Sequence, residues 1–283
     1  MNYASATLLA ACGLLAGALS AQAADLIIDE PLPQVQQPNH SNWYLRGDIG
    51  YAFGSHTDGD WNFWNIYAAP YRGIDDTFRY DRFSLNDGAT FGAGFGYRFN
   101  ETFRTDATLD FMRAGIHGKT SCPSYVKAGK GFNPVEDNCN YEDSSSADIW
   151  TTMANAYIDL PKLGMITPYM GFGVGAAYVS YDDWKTKEVC VGCEYQSNKG
   201  GLDSWRFAMS AMAGASYDIN DQLKLDLGYR YLHVKGGKAY GYDALDRATQ
   251  TIYGDGPGAT GTQARDNGFD IHTVRVGLRY ELY

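Results

Sequence analysis

From Trp43 to the C-terminus, apolar and polar residues alternate one by one over long stretches, the period of a β-strand with two unlike faces. The segment from 43 to 53 sets Trp43, Leu45, Ile49, Tyr51 and Phe53 against Tyr44, Arg46, Asp48, Gly50 and Ala52. The next, about 87–99, contains FGAGFGYRF and sets Phe91, Ala93, Phe95, Tyr97 and Phe99 against Gly92, Gly94, Gly96 and Arg98. A third sets Phe103, Ala107, Leu109 and Phe111 against Arg104, Asp106, Thr108 and Asp110. A fourth sets Trp150, Ala154, Ala156, Ile158 and Leu160 against Asn155, Tyr157 and Asp159. A fifth sets Met170, Phe172, Val174 and Tyr178 against Gly171, Gly173 and Gly175. A sixth has Trp205, Phe207, Met209 and Tyr217 against Arg206, Ser210 and Asp218. The seventh has Leu223, Leu225, Leu227, Tyr229 and Tyr231 against Lys224, Asp226 and Arg230. The eighth has Val274, Val276, Leu278 and Tyr280 against Arg275, Gly277 and Arg279.

The connections between these strands alternate in length. Short ones fall at 100–101, 161–165 and 220–222, and long ones at about 55–86, 114–148, 180–203 and 235–268. Strands this long, with no mid-strand charge on one face and many on the other, do not suit a soluble sandwich, whose strands are shorter and whose buried face carries few ions. Inverting inside and outside resolves the pattern: lipid covers the apolar face, and the ions point into a closed wall. The sequence therefore predicts an all-β fold, an eight-stranded antiparallel up-and-down transmembrane β-barrel with short periplasmic turns and four long extracellular loops.

Two belts of aromatics fit the same picture. Trp43, Tyr97, Phe99, Phe103, Tyr217 and Tyr280 fall at the periplasmic strand ends, and Phe53, Phe111, Trp150, Tyr178, Trp205 and Tyr231 at the outer ends. An eight-stranded barrel has room inside only for side chains. Its expected lumen network is Arg46, Asp48, Arg98, Arg104, Asp106, Asp110, Asp159, Arg206, Lys224, Asp226, Arg230, Arg275 and Arg279. Buried charges need partners, so Arg46, Arg104, Arg206 and Arg230 are expected to pair with Asp48, Asp106, Asp110, Asp159 or Asp226. Glycines on the second and fifth strands would make room for them. Such a plug opposes a wide pore; a narrow channel for small solutes is the alternative reading.

Residues 1–23 carry an apolar run ending in Ala21-Gln22-Ala23, the pattern of an export signal cleaved after Ala23, although no Lys or Arg precedes the run. A lipoprotein signal ending at Cys12 is the rival reading. Residues 24–41, with three prolines and no periodicity, read as a periplasmic segment ahead of a barrel at 42–283. Export makes disulfides the expected state of Cys122, Cys139, Cys190 and Cys193. Four cysteines allow three pairings, and one bridge within each loop is favoured. A redox CxxC lacks a thioredoxin-like context, and the long 122–139 spacing disfavours a four-cysteine zinc site. A net charge of −10 disfavours nucleic acid as a partner.

The N-terminal signal ending in Ala23, WYLRGDIGYAFG, FGAGFGYRF, ANAYIDL, TPYMGFGVGAAY, LKLDLGYRYL and the ending VRVGLRYELY resemble the opacity-like small outer-membrane barrels of alphaproteobacteria, the porin-family outer membrane protein β-barrel group. The resemblance covers about 42–283 and identifies a fold more than an activity. It implies residence in the cell outer membrane, with outer-membrane lipid and lipopolysaccharide as surroundings and the assembly machinery engaging the C-terminal strand. In that family an aromatic residue commonly stands two places after a Tyr at the end; here Leu282 holds that place and Tyr283 follows.

The first long loop gathers Trp61, Phe63, Trp64, Tyr67 and Tyr71 among acidic residues. Exposed, they would suit a sugar or a host surface; packed together, they would form a lid, which is the simpler reading. His233 and His272 share the lipid-facing parity near the outer ends of the last two strands, without a neighbouring nucleophile, so no catalytic residue is assigned. No cofactor and no metal site are expected, and acidic loops would let divalent ions bridge to lipopolysaccharide. The function expected is structural or surface-interacting, adhesin-like in its loops, with a host surface or other cells as partners; a lipid-modifying enzyme is the least favoured reading.

Overall fold

The computed structural model describes residues 42–64, 75–129, 131, 139–190, 192–244, 247 and 261–282. The expected signal at 1–23, the segment 24–41 and the aromatics Tyr67 and Tyr71 lie outside these residues, as do the side chains of Phe63 and Trp64.

The alternating segments form strands of one antiparallel sheet, which has 14 strands where the periodicity predicts eight. The long ones are β1 (Trp43–Phe53), β6 (Gly88–Arg98), β7 (Phe103–Ser121), β8 (Asn140–Asp159), β9 (Ile166–Tyr181), β12 (Asp203–Asp218), β13 (Leu223–Gly241) and β14 (Thr262–Glu281). They pair in succession, and β14 pairs again with β1, Tyr44 opposite Glu281 and Phe53 opposite His272. The remaining strands lie in two of the connections read as loops. These are β2 (Ser55–Thr57), β3 (Gly59–Trp64), β4 (Asp75–Arg79), β5 (Arg82–Leu85), β10 (Trp184–Val189) and β11 (Gln196–Lys199). A single turn of helix, α1 (Ser124–Gly129), follows β7.

The four long loops are therefore shorter than expected, and much of the chain above the aromatic belt is sheet. The reason is a reversal of polarity along the wall. Toward the short turns, outward positions such as Leu45, Phe95, Leu109 and Val276 are apolar and exposed, while inward Asp48, Arg104, Asp106 and Arg279 are buried. Farther along the same strands, inward positions turn apolar, with Met112, Ile116, Ile149, Val179, Leu232, Val234 and Ile271 buried. Outward positions there become polar: Arg113, His117, Lys119, Glu142 and Asp270 are exposed. A strand sought by a greasy outer face stops at that level, although the backbone ladder continues.

The short turns use one repeated device. Asn100 Oδ1 accepts from the amides of Thr102 (2.9 Å) and Phe103 (2.7 Å), and Asn220 Oδ1 accepts from those of Gln222 (2.9 Å) and Leu223 (2.7 Å). Each asparagine thus satisfies two amides that a tight reversal would otherwise strand. In the turn between β8 and β9, Gly164 takes a positive φ of 65°. Aromatics cluster at both ends of the apolar band: Trp43 against Tyr97 (5.1 Å) and Phe99 against Phe103 (5.3 Å) at one end, Phe111 against Trp150 (4.6 Å) and Tyr178 against Trp205 (5.1 Å) at the other.

Candidate functional site

Two interiors are stacked within one wall, a charged one in the apolar band and an aromatic one in the head above it. The charged interior is a linked set of ion pairs. Arg46 donates through Nη2 to Asp48 (2.7 Å) and through Nη1 to Asp106 (2.9 Å) and to the Tyr157 hydroxyl (3.0 Å). Asp106 also accepts from Asn155 Nδ2 at 2.7 Å. Arg230 Nη1 and Arg275 Nη2 converge on Asp110 at 2.7 and 2.9 Å, and Arg275 reaches Asp48 at 3.0 Å. Arg104 holds Asp159 at 3.0 Å, its guanidinium 4.1 Å from the centre of the Tyr157 ring. Arg279 pairs with Asp226 at 3.2 Å, Lys224 with Asp218 at 2.7 Å, and Arg98 with Glu281.

Several of these pairs join neighbouring strands, as Arg104–Asp159 (β7, β8), Arg279–Asp226 (β14, β13) and Arg275–Asp48 (β14, β1) do, while Arg230 of β13 reaches across the interior to Asp110 of β7; alternation aims every second side chain into this shared space. Among the described residues, two small voids of about 10 Å³ each lie between them, one lined by Arg46, Tyr157 and Arg275 and the other by Asp110, Met112 and Ile271. Each is roughly the space one water needs, about 10–15 Å³. The glycines are what make this density attainable. A Cβ on Gly92 would strike the Asp110 carboxylate, and one on Gly277 would strike Asp48.

Arg206 departs from the expected pairing. It donates to Asp266 at 2.7 Å, in the head, where Tyr181 also donates to Asp266 at 2.9 Å. Burial holds the Asp266 carboxyl above its usual range, against the pull of Arg206. Asp266 falls in the stretch the sequence reads as loop. At Gly268, with φ of 106°, the inward parity of β14 shifts from even-numbered to odd-numbered positions. A strict period of two cannot be carried through that point. Asp218 and Glu281 were likewise missed as network members; both sit at strand ends, next to the turns or the C-terminus, and their parity was the available signal.

The head core is aromatic. Phe83 stacks on Tyr80 (5.0 Å) and on Trp184 (5.9 Å), and Trp184 meets Tyr240 at 4.8 Å. Tyr80 donates to Asp143 at 2.9 Å, as does Thr186 at 2.5 Å, and the Lys199 ammonium lies 4.8 Å from the centre of the Tyr240 ring. Trp61 belongs to this core. It is 4% exposed, donates Nε1 to Thr120 Oγ1 (3.1 Å) and packs edge-on against Phe78 and Tyr141. Trp61 is therefore no exposed sugar platform, the less favoured of its two readings: β3 pairs with β14 and directs it inward.

Cys122 is bonded to Cys139 and Cys190 to Cys193, with Cα atoms 5.3 and 5.2 Å apart. Both bridges adjoin Glu188, whose carboxylate lies 3.8 Å from Cys139 Sγ. His233 faces Asp270 (2.7 Å) rather than His272, which instead bonds the Tyr229 hydroxyl at 2.5 Å. The two histidines therefore do not form a pair.

A wall that is apolar outside and ionic inside, closed by its first and last long strands, is the arrangement that a lipid bilayer selects. A family model described as the outer membrane protein beta-barrel domain matches residues 10–281. The chain belongs to this family. It is thus an all-β protein of the outer membrane. An uncharacterised protein of Brucella suis biovar 1 is 64% identical to this barrel over 271 residues, 95% of each chain. A protein of Rickettsia conorii provisionally named an adhesin is 25% identical over 197 residues, 70% of this chain and 69% of that one. Among solved structures, Neisserial surface protein A is similar with a TM-score of 0.40 and 17% identity, covering 87% of this chain and 100% of that one.

Proposed function

We propose that residues 42–283 form an eight-stranded transmembrane barrel that anchors a folded head at the cell surface, where its apical connections engage other surfaces. The filled lumen carries this reading. Ion pairs occupy the interior of the apolar band, and among the described residues the two voids between them measure about 10 Å³ each, so the wall serves as an anchor and activity belongs to the head. With both termini in the periplasm, the short turns of Asn100 and Asn220 face inward to the cell and the head faces out, and β14 offers its end to the assembly machinery. The mechanism is passive: no residue is assigned to catalysis. The provisional name of the Rickettsia relative and the β3–β4 hairpin on the rim support an adhesive role.

The test uses cells lacking other adhesins and expressing the full chain, or a variant in which residues 65–74 are replaced by a short Gly-Asn turn. That deletion spares Trp61 and hence the head core. The expected result is at least a fivefold fall in attachment to epithelial monolayers at equal surface expression. An epitope inserted at the same place should be labelled on intact cells. Unchanged attachment removes the adhesive role, and labelling only after permeabilisation reverses the orientation.

A further inference from the structure

The outer face of the head carries a feature that neither the anchor nor the apical hairpin uses. Above the aromatic belt, β5, β7, β8, β10 and β11 lie side by side in one sheet. Their register brings Arg82 opposite Lys119, Lys119 opposite Glu142, Glu142 opposite Lys187 and Lys187 opposite Gln196. The adjacent row runs His117, Ser144, Lys185 and Asn198. All of these positions point away from the head core, whose inward neighbours are Thr120, Tyr141, Asp143 and Thr186. The sheet curls so that the two rows line a concave cleft of about 780 Å³.

The charge of this cleft is the reverse of the chain's. Arg82, Lys119, Lys185 and Lys187 stand in it against two carboxylates, the exposed Glu142 and the buried Asp143, which accepts from Tyr80 and Thr186, in a protein of net charge −10. Among the described residues, none of these four cations makes an ion pair, whereas the lumen arginines all do. Four like charges on neighbouring positions of one sheet face repel one another. An arrangement of this kind is relieved by an anion brought from outside.

Position narrows the choice of anion. Lys119 lies eight residues beyond Phe111 of the outer belt on β7. At about 3.3 Å per residue and a tilt of about 40°, that places the cleft roughly 15–20 Å above the belt. Its parity is that of the lipid-facing wall, so it opens sideways, toward neighbouring molecules of the same leaflet. Its polar residues are also mixed. The cations suit phosphate groups, while Glu142, Ser144, Gln196 and Asn198 suit sugar hydroxyls, the first by accepting from them.

We infer that this cleft binds the phosphorylated sugar core of lipopolysaccharide in the surrounding outer leaflet, directly and without a bridging divalent ion. This goes beyond the adhesive reading and rests only on the proposed orientation. Bound glycolipid would pack against the side of the head and fix its tilt, leaving the rim clear.

The experiment uses the full chain refolded into phosphatidylcholine nanodiscs, with deacylated lipopolysaccharide oligosaccharide as the probe, so that acyl-chain partition plays no part. Calorimetry compares the native phosphorylated oligosaccharide, the same material dephosphorylated with hydrofluoric acid, and heparin, all in EDTA. The test variant is Lys119→Gln with Lys185→Gln and Lys187→Gln; the same lysines changed to Arg test for charge, and Lys235→Gln with Lys238→Gln is the control on another exposed face. Saturable binding of the phosphorylated probe is expected, at least tenfold weaker in the Gln variant, retained in the Arg variant and the control, and at least tenfold weaker after dephosphorylation. The inference is overturned by no saturable binding in EDTA, by equal binding to the Gln variant or the dephosphorylated probe, or by heparin binding tenfold tighter than the oligosaccharide, which would assign the cleft to a sulfated glycan of another surface. Because binding is measured on purified protein, a wrong orientation would leave it standing and would appear only in the epitope labelling.

Discussion

Asp110 offers the sharpest test of the ion-pair lumen, because two guanidinium groups depend on it. Arg230 donates to it at 2.7 Å and Arg275 at 2.9 Å, and all three side chains are buried. Asp110→Asn keeps the shape and removes the charge. Arg275 retains Asp48 at 3.0 Å, but Arg230 has no second carboxylate among its described ion pairs. Removing one partner of a buried pair costs about 3–5 kcal/mol, chiefly by leaving the other charge uncompensated. With a urea dependence of about 2 kcal/mol per molar, the unfolding midpoint should fall by roughly 1.5–2.5 M. The assay is urea unfolding of the refolded protein in detergent, followed by tryptophan fluorescence and the heat-dependent gel shift. The double variant Asp110→Leu with Arg230→Met removes both charges and should recover most of the loss. An Asn variant within about 1 kcal/mol of the parent would refute this account, and so would a double variant no more stable than the single one.

Three further outcomes are expected. Gly92→Ala, whose Cβ would strike Asp110, should destabilise the barrel by about 1–3 kcal/mol in the same assay, whereas Gly47→Ala, with open space around it, should not. Asp87 accepts from the Tyr51 hydroxyl and the Gly54 amide, each at 2.5 Å, which hold its carboxyl below the ordinary value. Its folded value being the lower one, that contribution is complete above about pH 4 and fades as pH falls through the depressed value; carboxyl-detected NMR should show Tyr51→Phe moving the titration back up, and an unmoved curve would discard the hydrogen bond as its cause. In planar bilayers the folded protein should be electrically silent, and reproducible openings would mean that the lumen voids join into a water path.

The pattern of alternation was enough to read the closed, inverted wall, because lipid on one side and a tight lumen on the other constrain every second residue. Alternation also placed Arg46, Asp48, Arg104, Asp106 and Arg279 on one face, although Arg206 pairs with Asp266 in the head, and Asp218 and Glu281 were not expected as partners. Two things were not legible. The head was read as loop because the wall reverses polarity near Met112 and Ile271, so the greasy outward face that marked the strands disappears while the ladder persists. Asp266 was missed because Gly268 shifts the parity of β14 at that point. Trp61 shows a third limit: its aromatic neighbours and nearby carboxylates favoured a packed lid but left an exposed patch open, and the pairing of β3 with β14 decides which way it points.

The seam between β1 and β14 bears on how the molecule is made. Tyr44 pairs with Glu281 and Ile49 with Val276, so the first long strand to emerge in synthesis is completed by the last. Until the C-terminal strand arrives, β1 has an open edge that hydrocarbon cannot satisfy. Contacts this distant along the chain are slow to form, since the closure entropy must be met before the seam contributes anything. Insertion and closure are thereby tied into one late event, and a chain halted before β14 has no partly closed form in which to wait within the bilayer.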